Sequence, residues 1–327
     1  MKALEFTQIS VGLPRLAVCR AAAVFLCVAL AAGCASLPKQ ELQALGSQVY
    51  PAKVDFASIN TYAYRAQAAY SPPAQIRTAY PKTIRVATPA KRDVQYFIER
   101  DDQAKTQYLV VRGTANKLNL TQDFSVKVRE DRSIKIPVHT GFDQDARAVW
   151  ADALPYLKKD YRTYLVGHSM GGAVAAILGI YATEDGFKVE KIMTFGQPRF
   201  TTTSGVKQLS FLPLYRVVDE NDMVPLLPPG IVVNKKLGPY DHVGPEVILL
   251  SGPDFVYLPA PDASKLAIGE FWRDLGVADI KDHHMGIYIS RIAPKLKGAH
   301  EVDYNDRERY EAKAKPKLGQ TNVNLPN

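Results

Sequence analysis

The residue best placed to do chemistry in this chain is a serine held between glycines, in Tyr164-Leu165-Val166-Gly167-His168-Ser169-Met170-Gly171-Gly172-Ala173. The pattern G-x-S-x-G calls for a turn so tight that the positions two before and two after the serine must lack bulk, and Gly167 and Gly171 meet that demand. Between a strand and a helix, such a turn lifts the Ser169 hydroxyl above the strand ends. It also aims the Met170 N–H at the place where a tetrahedral oxyanion would form. The chemistry would be nucleophilic acyl transfer. A serine hydroxyl reaches it only when a base accepts its proton and an acid fixes the tautomer of that base. With the order serine, acid, histidine along the chain, the six histidines narrow to His242, His283 and His284. His139 precedes the serine, His168 is locked into the turn, and His300 sits in the C-terminal stretch. Asp222, which follows the strand-like run Tyr215–Val218, is the best acid, and Asp219 reads equally as a turn-forming aspartate.

These residues need a sheet and helices to hold them. The apolar spacing Ile59, Tyr62, Ala63, Ala66, Ala69, Tyr70 predicts an amphipathic helix stopped by Pro72-Pro73. Strand-like runs follow at Thr83–Ala87, Val94–Arg100 and Gln107–Arg112, the last two flanking the turn-like Asp101-Asp102-Gln103. Phe142–Leu157 reads as a helix with Ala146, Trp150, Leu154 and Leu157 on one stripe. Thr163–Val166 is a short buried strand, Ala173–Tyr181 an apolar helix, and Lys191–Phe195 and Tyr215–Val218 further strands. Glu246–Leu250 and Phe255–Leu258 read as a hairpin, and a helix runs from about His284 to Ile292. Strands alternating with helices predict an α/β fold with a mostly parallel central sheet. From Pro294 onward the chain is charged and poor in large apolar residues, which predicts a loosely held tail.

Composition narrows the class. At 46% hydrophobic and 23% charged, the 327-residue chain is neither wholly disordered nor collagen-like. Its formal charge of +8 is scattered along the sequence, so nucleic-acid binding is not expected. No H-E-x-x-H, Walker or Rossmann pattern occurs, so no cofactor or metal is expected. Lys2, Arg15 and Arg20 precede the apolar run Ala21–Ala32, which is too short to span a bilayer and suits an export signal over residues 1–33. The run ends in Leu30-Ala31-Ala32-Gly33-Cys34-Ala35-Ser36, similar to a bacterial lipobox in which Cys34 would be lipidated and anchor the chain to a membrane. The other cysteines, Cys19 and Cys27, lie inside the signal, so no disulfide is expected in the exported chain. Ala35 and Ser36 after Cys34, without an aspartate, suggest outer-membrane sorting in a host with two membranes. The expected organisation is signal 1–33, tether 34–58, catalytic domain 59–292 and flexible tail 293–327.

Placed in order, these pieces resemble the class 3 lipases, the family of fungal triacylglycerol lipases and their bacterial and plant relatives. Val110-Val111-Arg112-Gly113-Thr114 looks like the family's strand and oxyanion turn. Asn119 with Asp123-Phe124, Val138-His139-Thr140-Gly141-Phe142, Thr194-Phe195-Gly196-Gln197-Pro198-Arg199 and Tyr240-x-His242-x-Gly244-x-Glu246 match further motifs. Arg216-Val217-Val218 through Asp222-Met223-Val224-Pro225 to Leu227-Pro228-Pro229 does so as well. The resemblance implies an α/β-hydrolase fold and selects Asp222, directly before x-V-P, over Asp219. It puts His283 of Asp282-His283-His284-Met285-Gly286-Ile287-Tyr288 in the place of the catalytic base. Adjacent helical residues point about 100° apart, so His283 and His284 cannot both face Ser169. The resemblance also implies an oxyanion hole made of the Thr114 and Met170 N–H groups.

The resulting expectation is a cofactor-free serine ester hydrolase acting on acyl esters of lipids, tethered to the bacterial cell envelope through Cys34. Thr114–Asp123 is more polar than the apolar lid of the fungal enzymes, which makes an esterase or phospholipase A-type preference as plausible as triglyceride lipolysis. The same site working as an acyltransferase, and a catalytically silent lipid-binding envelope lipoprotein, are the competing readings.

Overall fold

The computed structural model describes residues 54–113, 127–131, 134–228, 232–234, 236–260 and 280–311. The export signal, Cys34, most of the 34–58 stretch, Thr114, Asn119, Asp123, Phe124 and residues 312–327 lie outside the described residues.

A nine-stranded sheet runs through the described chain. Its strands are β1 (Thr83–Ala87), β2 (Tyr96–Asp101), β3 (Thr106–Val111), β6 (Arg162–His168), β7 (Lys188–Phe195), β9 (Leu214–Asp219), β12 (Glu246–Leu249), β13 (Asp254–Leu258) and β14 (His300–Glu301), in that spatial order. The centre, β3-β6-β7-β9-β12, is parallel, and β1, β2 and β13 pair antiparallel at the flanks. Register aligns the ends of the central strands. Val111 pairs with Gly167, His168 with Phe195 and Phe195 with Val217, so the residues that follow β3, β6, β7 and β9 emerge at one sheet edge. In open α/β sheets that edge is where ligands bind.

Period-two alternation sends each strand's side chains to two apolar layers. Tyr96, Ile98, Leu109, Val111, Leu165 and Ile192 face α3 (Thr140–Ala153) and α4 (Met170–Glu184). Phe97, Val110, Val166, Met193 and Val217 face α1 (Phe56–Ala68) and α5 (Met285–Lys295). Residues 171–182 of α4 are all buried, which is why it is built from small and aliphatic side chains on every face. Burying each larger aliphatic contributes about 1.5–3 kcal/mol before entropy is counted. α1 starts where the Asp55 carboxylate accepts the Ser58 N–H at 3.0 Å.

Three features depart from the sequence expectations. α1 ends at Ala68, ahead of Pro72-Pro73, and Pro73 instead begins a second helix, α2 (Pro73–Ala79), because proline fits the first helical turn, where its missing N–H has no partner to lose. A second, five-stranded sheet assembles β4 (Val128–Glu130), β5 (Pro137–His139), β8 (Thr201–Thr202), β10 (Val232–Asn234) and β11 (Gly238–Asp241) in the order β10-β11-β8-β5-β4. Strands of two to four residues are too short to display an alternation. The expected loose tail does not hold over residues 294–311. α5 runs past Pro294 to Lys295, β14 pairs with β13, and Val302 and Arg307 are buried.

Candidate active site

Ser169 occupies the turn between β6 and α4 at φ 58° and ψ −136°, backbone angles that L side chains rarely adopt. Its N–H is anchored to the Phe195 carbonyl at 2.9 Å. A Cβ at Gly167 would lie 2.1 Å from the Gly171 carbonyl oxygen, and one at Gly171 would lie 2.5 Å from that of Val111, so close approach of backbones excludes a side chain at either. The Ser169 hydroxyl is buried and has no hydrogen-bond partner among the described residues.

His283 lies in the turn before α5, and its Nδ1–H donates to Asp222 Oδ2 at 2.7 Å. This fixes the tautomer with Nε2 as the acceptor, and Nε2 is likewise buried and without a partner among the described residues. The hydrogen bond between Ser169 Oγ and His283 Nε2 is therefore not formed. One atom needs an acceptor and the other a donor, and such contacts are often long before substrate binds. Asp222 is doubly committed. Its Oδ2 also accepts the Tyr288 hydroxyl at 2.5 Å, and its Oδ1 accepts the Val224 N–H at 2.9 Å. A Cβ at Gly196 (φ +55°) would come within 3 Å of Asp222, His283 and Tyr288, so these side chains converge over a glycine at the end of β7.

The other candidates go elsewhere. His242 is buried with Nε2 donating to the Pro225 carbonyl at 2.7 Å. Burial, together with Arg216 and Arg199, pushes its pKa well down. His284 is exposed at the start of α5. His139 caps α3, its Nδ1 accepting the Phe142 N–H at 3.3 Å. Asp219 pairs with Arg291 Nε at 3.0 Å; burial pushes its carboxyl up to about 7 against the pull of that guanidinium. Met170 opens α4, the position at which an elbow presents its N–H, whereas Thr114 lies outside the described residues.

One component escaped the sequence reading. Tyr70, at the end of the first helical segment, accepts the Gly113 N–H at 3.1 Å and donates its proton to His168 Nδ1 at 2.7 Å. His168 Nε2–H in turn donates to the His283 carbonyl at 2.9 Å, and the two imidazoles stack at 4.6 Å. Burial, then the neighbouring His283, pushes the His168 pKa well below its usual value, which agrees with a neutral ring accepting at Nδ1. The turn before Thr114, the elbow and the base are thereby joined through side chains distant in sequence.

Residues 108–231 match the family model described as lipase (class 3). Over that stretch the chain is similar to the class 3 lipases. Curated relatives include a lipase of Rhizopus niveus, 30% identical over 161 residues that make up 45% of this chain and 41% of that one. A secreted mono- and diacylglycerol lipase of Fusarium solani is 30% identical over 179 residues, half of each chain. The chain thus spans about half the length, or less, of the curated relatives it matches. The crystal structure of a lipase from Rhizopus microsporus var. chinensis is similar in fold, with a TM-score of 0.57 at 24% identity over 71% of this chain and 87% of that one. The chain has the α/β-hydrolase fold, shared with that lipase. One of the motifs singled out in the sequence has a visible task here. Arg199 of the Phe195-Gly196-Gln197-Pro198-Arg199 stretch is buried and donates to the Leu226 carbonyl and, at 2.9 Å, to that of Pro228, clasping the chain just beyond Asp222.

Proposed function

We propose that this chain is a serine hydrolase that cleaves acyl esters of lipids. The observation that carries this reading is a buried serine hydroxyl on a strained turn, with no hydrogen-bond partner among the described residues, next in the chain to His168, whose ring stacks at 4.6 Å on an imidazole held at Nδ1 by a carboxylate. Ser169 Oγ attacks the ester carbonyl while His283 Nε2 takes its proton. The tetrahedral oxyanion is held by the Met170 and Thr114 N–H groups, each able to contribute about 3–4 kcal/mol. The intermediate collapses as His283 returns the proton to the leaving alcohol, giving an acyl-serine. His283 then deprotonates a water that releases the fatty acid and frees Ser169. Asp222 keeps the imidazole in the productive tautomer and stabilises its charged form. Every step uses groups of the chain and water alone.

The polar character of Thr114–Asp123 favours small or amphiphilic esters, partial glycerides or phospholipids, over the triglyceride oil phase. The lipobox-like Leu30–Ser36 favours a lipid anchor at Cys34 in the outer membrane of a bacterial envelope. Ser169→Ala is expected to lose hydrolysis of p-nitrophenyl butyrate and labelling by a fluorophosphonate; parent-rate turnover in that variant would remove the mechanism. Release from tributyrin, diacylglycerol and phosphatidylglycerol by the parent protein assigns the substrate. Added acceptor alcohols separate hydrolysis from acyl transfer. Replacing Cys34 by alanine is expected to move the protein from the membrane to the soluble fraction.

A further inference from the structure

We infer that the C-terminal segment of residues 300–311, with Arg291 of α5, is a clamp that positions Asp222, and that Arg307 and Glu311 are positioning residues for the reaction. This rests on the hydrolase reading above. The three residues before Asp222 are gripped one by one from behind. Asp219 Oδ2 pairs with Arg291 Nε at 3.0 Å, Glu220 Oε1 pairs with Arg307 Nε at 2.9 Å, and Asn221 Nδ2 donates to Glu311 Oε1 at 3.1 Å. Asp222 is tied to the first of these through its own N–H, which donates to the Asp219 carbonyl at 3.0 Å.

The grips share a common frame. Glu311 also accepts the Ser251 N–H at 3.1 Å and pairs with Arg291 Nη2 at 2.6 Å, while Arg291 Nη1 donates to Ser251 Oγ at 2.7 Å. Lys295 Nζ donates to the Leu250 and Gly252 carbonyls at 2.8 and 3.0 Å, fixing the β12–β13 turn to the end of α5. Below this layer Val302 packs with Val218, the residue before Asp219, and β14 adds to β13 through Asp254–His300 and Phe255–Glu301. The Arg307 guanidinium lies 3.8 Å from the Tyr304 ring centroid with its side chain only 4% exposed. Burying this many charges recovers little stability, because desolvation offsets much of the attraction. What the arrangement supplies is direction. A loop held at every residue on its rear face presents Asp222 Oδ2 to His283 and Tyr288 at one fixed place, and misplacement by about 1 Å at such a site can cost about 100-fold in rate.

The test uses the full-length protein and p-nitrophenyl butyrate. Glu311→Gln and Arg307→Met are expected to lower kcat roughly tenfold with KM changed less than about twofold. Arg307→Lys, which keeps the charge, is expected to recover part of the loss. The acid limb of kcat/KM should move to lower pH, because a displaced carboxylate no longer stabilises a protonated base; among the described residues His168, Tyr288, Asp219 and His284 are titratable neighbours of the Asp222–His283 pair. In an Asp222→Asn background the same substitutions should lower kcat no further. Folded variants with parental kcat and an unmoved acid limb, or losses of equal size in the Asp222→Asn background, would overturn the clamp. Glu311→Gln gives the answer alone if Arg307→Met does not fold, since the isosteric amide keeps the side chain's shape while removing its charge from Arg291. Ser169→Ala assayed alongside separates the two ideas. Parental activity there brings down the hydrolase reading and the clamp with it, whereas an inactive Ser169→Ala beside unaffected clamp variants brings down the clamp alone.

Discussion

Removing a single oxygen tests the link between the first helical segment and the proposed base, His283. Tyr70→Phe deletes the hydroxyl that accepts the Gly113 N–H at 3.1 Å and donates to His168 Nδ1 at 2.7 Å. Two polar groups at the centre of the site then lose their partner, and leaving a buried group unsatisfied costs about 1–3 kcal/mol. The Tyr70 ring is partly exposed, so a water can reach one of them. The expected loss is therefore that of one group, about 2 kcal/mol, or about 4–8 °C in Tm for a domain of this size. The kinetic effect has a different route. Gly113 precedes the proposed oxyanion donor Thr114, and His168 holds the backbone of His283, so both partners of Ser169 loosen together. If half of the 2 kcal/mol is lost from the transition state, kcat falls about fivefold with KM nearly unchanged. Differential scanning calorimetry and steady-state hydrolysis of p-nitrophenyl butyrate measure both quantities. A variant destabilised by the expected amount but with parental kcat would show that the Tyr70–His168 link serves the fold only, and a variant with neither change would refute the hydrogen-bond reasoning itself.

Asp222→Asn should retain the fold and KM but lose about 10³–10⁴ in kcat, because an amide can hold His283 in the wrong tautomer; steady-state kinetics on a short-chain ester check it. Ser169→Gly should abolish turnover yet raise Tm, since it relieves φ 58° and removes a buried unpaired hydroxyl, strain of about 1–3 kcal/mol set against about 0.5–1 kcal/mol of added chain entropy. Asp219 binds its proton more tightly folded than unfolded, so its contribution to stability is complete below about pH 4 and is lost as pH rises through about 7. Urea unfolding of Asp219→Asn and parent at pH 4.5 and 7.5 should accordingly show the difference moving in the variant's favour at the higher pH. His168 and His242 carry the opposite sign: held neutral when folded, they withdraw stability as pH falls through about 6.5, and His242→Gln should flatten the parent's Tm decline below that pH.

Parts of this architecture were legible in the residues because chemistry or sterics leaves no substitute. The elbow announced itself because Gly167 and Gly171 face backbone where a Cβ would sit inside another atom's radius. The central strands were legible from apolar runs, and α4 from small residues on all sides, as burial on both faces requires. The choice between His283 and His284 was not, since adjacent residues of one turn differ only in direction; the resemblance selected His283, and the bond to Asp222 lies on that residue. Tyr70 was opaque for another reason. It reads as one more apolar residue on the α1 stripe, and its partner His168 lies 98 positions away. The charged C-terminal stretch carried no periodic signal either. Arg307 looks like a solvated cation until Glu220, 87 residues earlier, is seen to face it.

The misreadings share a cause with the function. A sequence displays residues that obey local rules, whereas this site and its support are assembled from residues that break them: a serine at positive φ, a buried hydroxyl without a partner among the described residues, and, in the loop before Asp222, the Asp219 carboxyl shifted upward by burial. Costs of about 1–3 kcal/mol each would consume much of a net stability of about 5–15 kcal/mol. They persist only because the surroundings over-determine them. The elbow is fixed by α4 packed against β6 and β7, the base by α5 on the opposite face, and the acid by a loop held at each residue before it. Each support comes from a different element, so relaxing the strain at Ser169 requires several of them to yield at once. That redundancy is what keeps the hydroxyl poised for the ester carbonyl of the proposed reaction.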